Sequence, residues 1–115
     1  MNSIQDFTTE TINDVFVVII NLKRATLEEA GRLSKILSMA INNGWKKLLI
    51  EMCDVEYIDS TFVGALVMNL KKMRESNGKL ILVGLNTSLT ALIQQINLDK
   101  TFQIFESRAD AIKNI

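Results

Sequence analysis

The chain has 115 residues, with 13 lysines and arginines against 13 aspartates and glutamates, no histidine, no proline and a single cysteine. That length fits one domain spanning 1–115, able to bury roughly two-thirds of its unfolded surface without disulfide or metal staples. The charge balance gives no electrostatic footprint for nucleic acid or an anionic membrane, and the lone Cys53 excludes an internal disulfide and an all-cysteine zinc site.

The opening residues, Met1 to Asp6, lack the basic and apolar regions of a signal peptide. No later apolar run approaches the roughly 20 residues that span a bilayer, so a soluble, cytoplasmic protein is expected. Ile4 to Thr11 is a candidate first strand. Asn13-Asp14 then turns the chain into the β-branched run Val15-Phe16-Val17-Val18-Ile19-Ile20, which predicts an antiparallel hairpin. Thr26 with Glu29 forms a capping box, and Leu27, Ala30, Leu33, Leu37, Ala40 and Ile41 recur at helical spacing until Asn43-Gly44 stops them.

Lys47 to Met52 reads as a buried strand, with Cys53 expected as a small core residue just beyond it. A second helix is predicted from Ser60, with Val63, Leu66, Val67, Leu70 and Met73 inward and Asn77-Gly78 at its end. Leu80 to Val83 is the next strand. Asn86 or Thr87 can cap a third helix striped by Leu89, Leu92, Ile93 and Ile96. Phe102 to Phe105 is a last strand, and Ser107 with Asp110 frames a fourth, short helix. Strand and helix alternate after the hairpin, which predicts an α/β fold with a mixed, mostly parallel sheet and right-handed crossovers.

In such sheets, sites form where strands end and helices begin. The first edge, Asn21 to Thr26, offers Lys23 and Arg24, which either meet an acidic partner or phosphate or are simply solvated. The third, Gly84-Leu85-Asn86-Thr87-Ser88, carries only capping residues. Asp54, Glu56 and Asp59 crowd the second, but their spacing matches no calcium loop, so no metal and no cofactor are expected. That edge ends in Asp59-Ser60-Thr61. A nucleophilic serine needs a base in hydrogen-bond reach, and there is no histidine to serve. A hydroxyl at a helix start can instead receive a phosphate from another enzyme. The plainer alternative is that Asp59 or Ser60 only caps the helix, a gain of about 1 kcal/mol.

The run Ile58-Asp59-Ser60-Thr61-Phe62-Val63-Gly64, following a buried strand and opening an amphipathic helix, resembles the signature of STAS domains of the anti-sigma-factor-antagonist type. The order of elements resembles that family over essentially the whole chain. The resemblance implies a non-enzymatic switch of bacterial transcription. Such a protein binds an anti-sigma factor that is also a serine kinase when unmodified, is released by phosphorylation, and is reset by a serine phosphatase. Carried over, Ser60 is the phosphoacceptor, Asp59 orients it and contacts the kinase, and Thr61 supports or caps. Phe62 stands where relatives carry a small residue; it either packs inward or is a partner contact. Lys23 and Arg24 stand in the loop where many relatives carry an acid, and they complete the expected partner-binding set. Two other readings stay open: a STAS module of a transporter or signalling complex that is not phosphorylated, and a phosphotransfer receiver with Asp54 as acceptor.

Overall fold

A computed structural model describes residues 5–115, so Ile4, the expected start of the first strand, lies outside the described residues. Strands β1 (Phe7–Ile12) and β2 (Val15–Ile20) form the expected hairpin, pairing antiparallel from Phe7↔Ile20 to Ile12↔Val15 around Asn13 at φ 54°. The chain continues through β3 (Arg24–Ala25), α1 (Leu27–Asn42), β4 (Lys47–Glu51), β5 (Tyr57–Ile58), α2 (Ser60–Glu75), β6 (Lys79–Val83), α3 (Thr87–Gln95), β7 (Gln103–Phe105) and α4 (Arg108–Asn114). The main sheet has the order β1-β2-β4-β6-β7, parallel after the hairpin.

That order never reverses. Each crossover steps to the next strand in the same direction, and right-handed crossovers then stack their helices on one side. Leu33 and Leu37 of α1, Leu66 and Leu70 of α2 and Leu89 of α3 accordingly share one core with Val18, Ile50 and Leu82. The alternating set of Val15, Val17, Leu49, Ile81 and Val83 points to the opposite face and is covered by Ala111 and Ile112 of α4. Near-continuous apolar strands are what burial on both faces requires. Helix α4 is held there by Arg108, whose Nε donates to Glu51 Oε1 at 2.7 Å and whose other arm pairs with Glu10.

The helix signals act where they were read. Glu29 Oε1 accepts from Thr26 N at 2.8 Å, Asn86 Oδ1 from Leu89 N at 2.8 Å and Ser107 Oγ from Asp110 N at 3.1 Å. The Thr26 amide holds the Glu29 carboxyl below its ordinary value of 4.5.

Three expectations are corrected. Helix α2 is rotated relative to the predicted stripe: Phe62, Ala65 and Asn69 are buried beside Leu66, Leu70 and Met73, while Val63 and Val67 are half-buried. Asn69 takes an inward place by donating to Ala65 O at 2.8 Å. Ile96 lies just past α3 and is exposed. Cys53 is exposed and not a core residue; burial of its sulfur, with Glu51 and Asp54 nearby, still pushes the thiol up. Its side chain occupies the space beside Gly84, whose φ of +77° and missing Cβ let the chain turn out of β6.

Two measurements follow from these contacts. Gly84→Ala sets a methyl group against Cys53 Sγ in a left-handed backbone position, so it lowers unfolding free energy by about 2 kcal/mol. In a Cys53→Ala background the steric part is relieved and the loss falls to about 1 kcal/mol, read by urea denaturation. Glu29 is more acidic folded than unfolded, so its contribution is present above pH 4.5 and lost as the pH falls through its lower folded value. Glu29→Gln protein therefore loses less stability than wild type over that acid range.

Candidate functional site

The site is built from two elements too short to show a period. Strand β3 pairs parallel with β5, Arg24 opposite Tyr57 and Ala25 opposite Ile58. Just before them Lys23 O accepts from Glu56 N at 2.7 Å and Tyr57 N at 3.0 Å. Ala25 and Ile58 face the core, leaving Arg24 and Tyr57 exposed. This second, two-stranded sheet joins the loop that enters α1 to the loop that enters α2.

Asp59 completes the joint. It is the N-cap of α2, at φ −99° and ψ 177°, and its Oδ1 accepts from Phe62 N at 2.9 Å. Its other oxygen, Oδ2, accepts from Leu27 N at 3.0 Å, the first amide of α1. One carboxylate thus caps two helices, with one oxygen for each. The cap is therefore Asp59 and not Ser60. Ser60 and Thr61 are the first two residues inside α2, both exposed, and among the described residues neither hydroxyl has a hydrogen-bond partner.

Phe62 is wholly buried, which corrects its place among the partner contacts. The third position of the helix points down beneath the loop, and its aromatic ring fills the core under Asp59-Ser60-Thr61. Beside Ser60 lies a groove of about 410 Å³ between the start of α2 and α3, walled by Tyr57, Val63, Leu89, Leu92 and Ile96. The Arg24 guanidinium lies 4.4 Å above the centre of the Tyr57 ring.

Lys23 is placed elsewhere. It lines a neighbouring polar cleft of about 520 Å³ with Asn21, Cys53, Asp54 and Asn86, and Glu56 borders both this cleft and the groove. Asp54 lines that cleft, Asp59 the groove and Glu56 both, and among the described residues the three do not form a group that could hold a metal ion. Asp59 and Ser60 thus line the groove with exposed Thr61 next in the helix, Arg24 comes to it through the Tyr57 ring it covers, Lys23 lines the neighbouring cleft and Phe62 lies in the core. Sequence reasoning missed Tyr57 and the α3 wall of the groove. An aromatic residue standing in an acidic loop was the available signal for the first. Asn86 was read only as a cap; its Nδ2 also donates to Val55 O at 3.2 Å, tying the α3 entrance to the same loop.

Comparison with known proteins identifies the family and the fold. The STAS domain family model matches residues 6–111, and the chain belongs to that family. A Thermotoga maritima protein described as a candidate anti-sigma factor antagonist is 28% identical over 110 residues, covering 95% of this chain and 96% of that one. Its crystal structure superposes with a TM-score of 0.84 over 95% of this chain and 93% of that one. The Bacillus cell fate determinant SpoIIAA, solved in its phosphorylated form, shares the fold at 16% identity, with a TM-score of 0.75 over 93% of this chain and 96% of that one. So does a sulfate transporter family protein from Wolinella succinogenes, at 21% identity and a TM-score of 0.78, over 89% of this chain and 85% of that one. Among the described residues no helix is long and apolar enough to cross a membrane.

The double cap sets a graded expectation. Asp59→Ala removes both capping bonds and lowers stability by about 2 kcal/mol, whereas Asp59→Asn keeps one acceptor and costs about 1 kcal/mol. Amide exchange at Leu27 and Phe62 accelerates together in the alanine variant; acceleration at Phe62 alone would show that the bond to α1 contributes nothing.

Proposed function

We propose that this STAS domain protein is an anti-sigma factor antagonist that works by partner switching, with Ser60 as its phosphorylation site. The observation that carries the reading is the division of labour at the start of α2. Asp59 does the capping, and the hydroxyl beside it is left exposed and unbonded on a fixed backbone. The likeness to the Thermotoga relative over almost the full length of both chains supports the same class.

In this reading the unmodified protein docks an anti-sigma factor through the surface of Ser60, Thr61 and the adjoining groove, which frees the sigma factor. The anti-sigma factor is also the kinase. The γ-phosphoryl group of ATP passes to Ser60 Oγ, the hydroxyl proton is released and ADP departs. A serine phosphatase later hydrolyses the ester with water, returning the hydroxyl and inorganic phosphate. Both partners are cytoplasmic, and this protein performs no catalysis of its own. Asp59 acts by positioning Ser60 through the two caps and contacts the kinase only at the edge of its half-buried carboxylate.

The energetics favour a switch of this kind. A phosphoserine adds roughly 1.5 to 2 negative charges at neutral pH. At a helix N-terminus the fold tolerates that charge, since the free amides and dipole there favour anions. A desolvated apolar interface does not, because an unmatched buried charge costs roughly 2–5 kcal/mol.

The test uses the purified protein, ATP and the anti-sigma factor kinase encoded in the same genome. One phosphate is expected on Ser60 by intact mass and peptide mapping, and none on Ser60→Ala protein. Ser60→Asp should bind the kinase at least about 100-fold more weakly than wild type, the fold-change that corresponds to the lower part of that cost. No phosphate on Ser60, or equal binding by Ser60→Asp, overturns the reading in favour of an unphosphorylated STAS module that serves a transporter or signalling complex.

A further inference from the structure

We propose that Arg24 is a built-in receptor for the phosphate on Ser60, parked on the Tyr57 ring until the modification arrives. The proposal rests on the reading of Ser60 as phosphoacceptor and adds what happens to the phosphate afterwards.

Placement comes from the backbone. The β3–β5 register sets Arg24 beside Tyr57, the bond from Leu27 N to Asp59 fixes these two segments against each other, and Tyr57 and Ser60 line the same groove. An arginine at this strand position needs only side-chain rotation to exchange the ring for a group at the groove's rim.

Availability comes from its partners. Arg32, Lys47 and Arg108 each pair with carboxylates, whereas among the described residues Arg24 pairs with none. Its contact is the face of Tyr57, a cation–π arrangement at an exposed site. Such contacts are weaker than the bidentate, charge-assisted bonds a guanidinium makes with phosphate. Exchange of one for the other is therefore downhill.

Need comes from the surrounding charge. The new phosphate follows Asp59 directly, Glu56 lines the same groove, and Glu28 and Glu29 stand in the first turn of α1, next to the Leu27 amide that Asp59 caps. Lys23, the other cation of the loop, lines the neighbouring polar cleft, which meets the groove at Glu56. Arg24 is the cation of the loop that contacts a wall residue of the groove, Tyr57. Phosphorylation then does two things at once: it plants a guanidinium–phosphate pair at the rim of the groove and strips the cation from Tyr57. The partner meets a changed shape as well as a changed charge.

The test writes phosphoserine into position 60 during translation, so that no kinase is needed, and follows the phosphate by ³¹P NMR titration. The second phosphate pKa, ordinarily about 6, is expected to fall by about half a unit or more, because an adjacent cation favours the dianion. Arg24→Gln should remove that fall, Arg24→Lys should keep part of it, and Lys23→Gln should leave it unchanged. The Tyr57 ring resonances of the phosphorylated protein should move toward those of unmodified Arg24→Gln protein. An equal phosphate pKa in wild type and Arg24→Gln, or a loss of the shift in Lys23→Gln as large as in Arg24→Gln, overturns the proposal. Either result leaves the kinase test of Ser60 standing, and failure of the kinase test leaves this one readable.

Discussion

The carboxylate of Asp59 is the contact on which the functional surface depends. It accepts one amide from the start of α1 and one from the start of α2, at 3.0 and 2.9 Å, and so fixes two helices that enter the sheet from different strands. Hydrogen bonds to a charged acceptor are worth about twice those between neutral groups. Each also satisfies an amide that a helix start would otherwise leave unpaired. Because one side chain meets both demands, the two hydroxyls that follow have no structural duty among the described residues. A serine at the cap would be committed to the backbone; a serine one position later is available for modification.

The sheet explains why the site is at a helix start and not in a crevice. Ligand crevices in open α/β sheets form where the strand order reverses. The order β1-β2-β4-β6-β7 never does, so α1, α2 and α3 all crowd one face and no opening is left between helices on opposite sides. What remains exposed at the strand ends is the set of loops that enter the helices. The β3–β5 ladder and the bond from Asn86 to Val55 join those loops into one surface. A surface of that form, with an apolar groove between α2 and α3, suits a macromolecular partner better than a small enclosed ligand.

Much of this was legible from side-chain pattern alone. The run from Val15 to Ile20 announced the second strand of a hairpin, and Thr26 with Glu29, Asn86 and Ser107 announced their helices through cap chemistry that acts over three or four residues. The parts that stayed hidden have physical reasons. Strands of two residues have no period, so β3 and β5, and with them the neighbourhood of Arg24 and Tyr57, could be seen only in three dimensions. Periodicity also fixes a helix face only to within about one residue. A stripe through Val63 and Val67 and one through Phe62 and Ala65 share Leu66, Leu70 and Met73, so apolar spacing alone does not separate them. Cys53 read as core by residue type, yet it falls just past the end of β4, where the chain leaves the core for the loop.

Phe62 shows how the two halves of the motif cooperate. Its amide is tied to Asp59 and its ring is sealed in the core, so the residue is held at both ends of its backbone-to-side-chain axis. Ser60 and Thr61 lie between those restraints, on a first helical turn that cannot shift without losing a cap bond or opening a cavity the size of an aromatic ring. Cavities of that kind cost about 3–5 kcal/mol, well above what a phosphate gains from one exposed cation. In the switch proposed above the backbone therefore stays put, and the signal is carried by what moves over it: the phosphate itself, the long side chain of Arg24 and the uncovered ring of Tyr57. On that proposal, a rigid platform with mobile charges on top lets a small domain change partners without changing its fold.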